Sequence, residues 1–127
     1  ERGPLSDSRY VEALGHSHRL SRNEGIDGVM QAQRLDAIVG PTSGPAALLD
    51  PLGARLGSGG GCSTPSAMAG YPNMTLPMGF IFGLPVGISL FGRAWTESTL
   101  IRLAYGYEQA TKHRRPPKFL PTIDVTA

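Results

Sequence analysis

Residues 69–92 read AGYPNMTLPMGFIFGLPVGISLFG, and this stretch decides the fold. Two apolar runs flank a glycine-containing turn, the pattern of a β-hairpin. Strand side chains alternate, so Leu76, Met78 and Phe80 are expected on one side of the first strand. Val86, Ile88 and Leu90 then stand together on the second. The opposite face carries Thr75, Pro77, Gly87, Ser89 and Phe91, mostly small or apolar, which suits a sheet covered on both faces.

Working outward, Asp7 can cap a helix from about Ser8 to Ser21, with Tyr10, Val11, Leu14 and His18 near one face. Asn23 and Gly25 are expected to break it. A second helix follows, with Ile26, Val29, Met30 and Gln33 at helical spacing. His16 and His18 are two apart, point to different sides of a helix and make a poor metal pair. Leu35 to Val39 reads as a short strand leading into the loop GPTSGP. In open α/β sheets such loops line the ligand crevice, which singles out Thr42 and Ser43. The same residues also serve as loop formers that bond nearby backbone. Ala46 to Leu56 reads as irregular or weakly helical, interrupted by Pro51.

The run GSGGGCSTPSAMAGYP places Gly59, Gly60 and Gly61 where backbone can approach a strand or a ligand closely. Thr64 can cap a short helix with Pro65 at its first position, ended by Gly70 and Pro72. Cys62 and Ser63 then lie just before the helix N-terminus, where a thiolate is stabilised. A free cysteine more commonly packs as a small hydrophobe, and that structural reading of Cys62 is the favoured one. Beyond the hairpin, Thr96 can cap a last helix with Glu97 in its first turn. Leu100, Leu103, Ala104 and Tyr107 form its apolar stripe. Lys112, His113, Arg114 and Arg115 complement the dipole at its end, and Pro116-Pro117 is expected to stop it. Residues 118–127 read as a tail strapped down by Phe119 and Leu120.

The 127 residues suffice for one core, and 40% hydrophobic with 17% charged residues argues against wholesale disorder. A net charge of +2 does not argue for nucleic acid or an acidic membrane. The single cysteine cannot form an internal disulfide and fits a reducing, cytoplasmic setting. No apolar run approaches the ~20 residues of a membrane helix. The opening ERGPLSDS has neither Met nor a signal peptide's apolar core, and reads as part of something longer or as a processed product. The phosphate-loop pattern fails for want of a lysine after the glycines, and no HExxH or GxSxG motif occurs.

The block AGYPNMTLPMGFIFGLPVGISLFGRAW, the later YEQAT and RRPPKFLPT, and the upstream LDAIVGPT together resemble the C-terminal block of the amidase signature family. The likeness runs from about Tyr10 to Thr122. It implies an α/β fold: the C-terminal part of a large mixed sheet, few strands flanked by helices, an incomplete domain over residues 1–127. It further implies an enzyme that hydrolyses carboxamide C–N bonds with a Ser–cis-Ser–Lys triad and neither cofactor nor metal. Those catalytic elements belong to the family's N-terminal half. This chain has only Lys112 and Lys118, neither in a matching motif.

SGGGCSTPSAMAG echoes the family's serine- and glycine-rich signature, but the GYPNMTLPMG after it marks the later block. No nucleophile is therefore assigned to Ser58, Cys62 or Ser63. In the tRNA-dependent amidotransferase branch an acidic residue near this position helps hold glutamine. Gly59 to Cys62 has no carboxylate, which favours a generic amidase.

The resulting expectation is scaffold. One wall of a pocket for a small-molecule amide is formed by Thr42, Ser43, Gly59, Gly60, Gly61, Cys62, Ser63 and Thr64. The catalytic groups come from a missing N-terminal part, and the segment is inactive alone. Unpaired sheet edges would favour a homo-oligomer. The competing readings are a non-catalytic binding or assembly module and thiol chemistry at Cys62.

Overall fold

The computed structural model describes residues 3–46 and 60–117. In chain order these form α1 (Ser8–His18), a π-helical stretch (Arg19–Ile26), α2 (Asp27–Ala32), β1 (Ile38–Pro41), α3 (Ser63–Ala69), β2 (Asn73–Ile81), β3 (Leu84–Phe91) and α4 (Glu97–Thr111). The three strands make one sheet in the order β1-β3-β2, antiparallel at both junctions. The expected irregular segment from Ala46 to Leu56, apart from Ala46, and the tail at 118–127 lie outside the described residues.

The hairpin forms as read. Phe82 and Gly83 connect its strands with φ of 50° and 77°. Positive φ at both central positions is the type I′ pattern, whose twist matches that of the flanking strands. Glycine suits the second position; Phe82 holds the first against the usual cost of a left-handed side chain.

The facing of β2 differs from simple alternation. Pro77 pairs with Gly87 but Gly79 pairs with Val86, so Met78 is an extra residue. This bulge falls beside a proline on an edge strand, where the missing N–H interrupts the ladder least. Beyond it the parity reverses. Phe80 pairs with Pro85 and leaves the face of Leu76, contrary to strict alternation.

Before the bulge β3 is covered on both faces, whereas Asn73, Thr75 and Pro77 of the edge strand β2 stay exposed on the Phe91 side, so the expected two-sided cover is only partly met. On one face, Leu76 and Leu90 pack with Leu100 and Ala104 of α4, flanked by Met74, Ile88 and Tyr107. On the other, Phe91 packs with Ile26, Met30 and Ala69, flanked by Ile38, Cys62 and Tyr71. The α4 stripe is narrower than its spacing suggests, because Leu103 stays 39% exposed. Thr96 takes the N-cap position of α4, yet its hydroxyl donates to the Arg93 carbonyl at 2.7 Å instead of capping. The helix ends four residues before Pro116, at Lys112 in the left-handed region (φ 49°).

Asp7 caps α1 through an N–H of Arg9 at 2.9 Å. The helix ends at His18, and the chain continues as a π-helical stretch bent at Gly25 (φ −93°, ψ −111°). Gly25 thus breaks the helix and Asn23 does not. No residue of α1 is buried; Tyr10, Val11 and Leu14 stay exposed. At the end of α2, Leu35 N–H reaches Met30 O (2.9 Å) and Arg34 N–H reaches Gln31 O (3.3 Å), with Arg34 left-handed. This Schellman stop consumes Leu35, so β1 starts at Ile38, later than expected. Helix α3 starts with Cys62 at the N-cap, and Thr64 and Pro65 lie inside its first turn. Thr64 is therefore not the cap. Gly70 ends α3 in the left-handed conformation, as read.

Leu100 is 1% exposed, so Leu100→Ala is expected to lower stability by about 3 kcal/mol, against a few tenths for Ile101→Ala on the exposed side of α4. Phe82→Gly should raise it by about 1 kcal/mol by removing left-handed strain. Urea titrations followed by circular dichroism read both.

Candidate functional site

A row of hydroxyls crosses the sheet on the Phe91 face. Ser89 of β3 is paired with Thr75 of β2 and Gly40 of β1. Its Oγ lies 2.8 Å from Thr42 Oγ1 and 3.0 Å from Thr75 Oγ1. Ser89 is only 1% exposed, so these partners satisfy a hydroxyl that water does not reach. Thr42 follows β1 and extends its ladder by one bond, N–H to Gly87 O at 2.8 Å. Gly87 is required for that approach: a Cβ there would stand 2.8 Å from Thr42 Oγ1 and 3.1 Å from Thr75 Cγ2.

The loop before α3 crosses the same end of β1. Cys62 N–H donates to Pro41 O at 3.2 Å, and a Cβ on Gly61 would lie 2.7 Å from Thr42 O. Thr42 and the Gly60–Cys62 backbone are thus brought together. They are not at the mouth of a parallel sheet, the geometry that singles out Thr42 and Ser43 in the sequence, because β1 runs antiparallel to β3. Ser43 is exposed, and its hydroxyl turns to Gly44 O at 3.2 Å, away from the row. Ser63 offers its carbonyl to Ser66 Oγ (2.9 Å), which accepts from Asn73 Nδ2 (2.8 Å). Thr64 instead lines an apolar groove of about 480 Å³ with Leu20, Ile26, Val29, Met68 and Phe91. Cys62 is half-buried against Ile26, Met30, Ala69 and Phe91. Gly59 lies outside the described residues.

A second polar network ties the helices to the start of β2. Arg22 Nε donates to Ala69 O at 2.7 Å, and its guanidinium lies 5.5 Å from the centre of the Tyr71 ring. Tyr71 OH donates to Asp27 Oδ2 at 2.7 Å. Burial, and then the Asp27 carboxylate, push the phenol pKa above its ordinary 10.0. His18 faces Arg22 and His16 faces Arg19, each at 3.2 Å.

Neither network is fully legible in the sequence. Alternation puts Thr75 and Ser89 on one face, but only the register reveals that Thr42 joins them. Tyr71 and Asp27 are 44 residues apart, with no local pattern linking them.

Chemically the row can donate and accept hydrogen bonds. Three hydroxyls carry three protons and share two bonds, which leaves one donor and several lone pairs. Among the described residues no lysine, histidine or carboxylate bonds to any of the three.

No family model matches the chain. Over 119 residues (88% of the chain) it is 42% identical to a glutamyl-tRNA(Gln) amidotransferase subunit from Moorella thermoacetica, covering 23% of that protein. It is 38% identical over 109 residues to a probable amidase of Arabidopsis thaliana, covering 18% of it. The X-ray structure of the peptide amidase from Stenotrophomonas maltophilia superimposes with a TM-score of 0.81 at 45% identity, over 93% of this chain and 23% of that one. The relatives it matches are members of the amidase signature family. The chain spans about a fifth to a quarter of their length. The only lysine among its described residues is Lys112, at the C-terminus of α4.

Ser89→Ala should cost about 1–2 kcal/mol, because the half-buried Thr42 hydroxyl loses its partner; the shift in denaturation midpoint relative to exposed Ser98→Ala checks it. Because the folded-state pKa of Tyr71 is raised, its contribution is complete below pH 10 and disappears as pH rises through the folded value. Alkaline melting curves should show that loss in the native chain and less of it in Tyr71→Phe.

Proposed function

We propose that residues 1–127 are the C-terminal, incomplete-domain segment of an amidase that hydrolyses carboxamide C–N bonds with a serine nucleophile. The observation that carries this is the match of nearly the whole chain, at 45% identity, to less than a quarter of a peptide amidase. The hydroxyl row of Thr42, Thr75 and Ser89 fits it as a surface that can hold a polar group by hydrogen bonds. In this reading Thr42, Ser43 and Gly59 to Thr64 form one wall of the pocket for a small-molecule amide. The Ser–cis-Ser–Lys machinery comes from an N-terminal part of the parent enzyme, which works in the cytoplasm without cofactor or metal. The absence of a carboxylate from Gly59 to Cys62 favours release of the acid and ammonia over transfer to an acceptor. Exposed sheet edges favour self-association of the isolated chain.

The purified 127-residue chain should release no ammonia above background from a panel of peptide and small aliphatic carboxamides, and should not be labelled by a fluorophosphonate serine probe. Hydrolysis or labelling that follows the folded chain through purification overturns the scaffold reading.

A further inference from the structure

We propose that the distal end of the β2–β3 hairpin, together with the cationic turn after α4, is a docking surface for an anionic lipid bilayer. This reading is independent of the amidase assignment.

The hairpin outruns its neighbour. Strand β1 pairs with β3 only from Ile88 to Phe91, so among the described residues the distal half of the hairpin has no third strand beside it. Its end is apolar and open: Ile81 is 42% exposed, Leu84 39% and Phe82 99%. Phe82 takes φ 50°, where Gly, Asn or Asp is favoured. Strain kept at an exposed residue points to a role outside the fold. Ile81 and Leu84 pair across the turn, so its side chains can reach an apolar boundary while the unpaired backbone of the hairpin edges stays at the wet interface.

Charge complements this tip. Lys112, His113, Arg114 and Arg115 follow α4 directly, and the Arg115 guanidinium lies 4.9 Å from the centre of the Phe80 ring. His113, Arg114 and Arg115 share a concavity of about 830 Å³ with Phe80, Gly83 and Pro85, and among the described residues no carboxylate lines it. A net charge of only +2 therefore conceals a local cluster beside the apolar tip. An apolar wedge flanked by cations is the arrangement that holds a peripheral protein at an anionic interface. Each cation at such a surface strengthens partitioning roughly five-fold.

Flotation of the 127-residue chain with phosphatidylserine-containing and pure phosphatidylcholine vesicles tests this. The chain should float with the anionic vesicles, about tenfold less with neutral ones, and be released by salt. Phe82→Asp and the double variant Arg114→Glu/Arg115→Glu should each reduce partitioning about tenfold or more without lowering the melting temperature, since these side chains are exposed and Asp suits the left-handed position better than Phe. Phe82→Trp should gain a blue-shifted emission on anionic vesicles, whereas Trp95, past the opposite end of β3, should not shift. No flotation, equal flotation with both vesicles, or variants that float like the native chain overturns the proposal. So does a Phe82→Asp chain that floats normally but loses self-association, which assigns the tip to a second copy.

Discussion

Strand β3 is hydrogen-bonded along both of its edges and packed on both of its faces over Ile88 to Phe91. Those four residues set the positions of most other elements. Leu90 faces α4, while Phe91 faces Ile26, Met30 and Ala69 from the helical N-terminal half and α3. Two small clusters, separated by one layer of backbone, are therefore joined by consecutive side chains of one strand. Alternation with a period of two makes that division automatic once the register is fixed.

Ser89 interrupts this apolar strand at a place where a polar group is tolerated only if its bonds are made inside the protein. Thr42 and Thr75 supply them, one from each side. The consequence is mechanical as well as energetic: the end of β1, the middle of β3 and the edge strand β2 share one chain of hydroxyls. The loop at Gly61 and Cys62 rests on the Thr42 backbone, and so inherits its position from the same row. A pocket wall built there would be fixed by the sheet rather than by the loop's own sequence.

How much of this is legible in the sequence depends on the range of the interaction. The hairpin, the capping by Asp7, the Gly70 stop and the α4 stripe rest on residues within a few positions of one another, and they are readable. The bulge at Met78 is not, because Pro77 marks a weak point in a ladder without saying which residue will be extra. Thr96 and Thr64 carry good capping chemistry, but the Arg93 carbonyl takes one hydroxyl and helix α3 begins before the other. The delayed start of β1 follows from Arg34 adopting a left-handed conformation, for which glycine or asparagine is the usual signal. In the candidate site, the adjacency of Thr42 and the glycine loop agrees with a reading that rests on other grounds, while the participation of Ser89 depends on pairing between distant segments. Family resemblance reaches further than local physics, since it rests on the order of several blocks at once.

The extra residue at Met78 divides the hairpin into two regions with opposite inside–outside addresses. Upstream of it, Met74 and Leu76 face the α4 cluster while Thr75 is tied to Ser89 by its hydroxyl. Downstream, Phe80 and Ile81 have exchanged sides, and their surroundings are open. Deleting that one residue would transpose the outer third of the ribbon while leaving the Thr75–Ser89 and Leu76–Ile88 pairs where they are. The ribbon's end can thus be re-addressed by a single-codon change without retuning the interior, a freedom that an uninterrupted ladder would not possess.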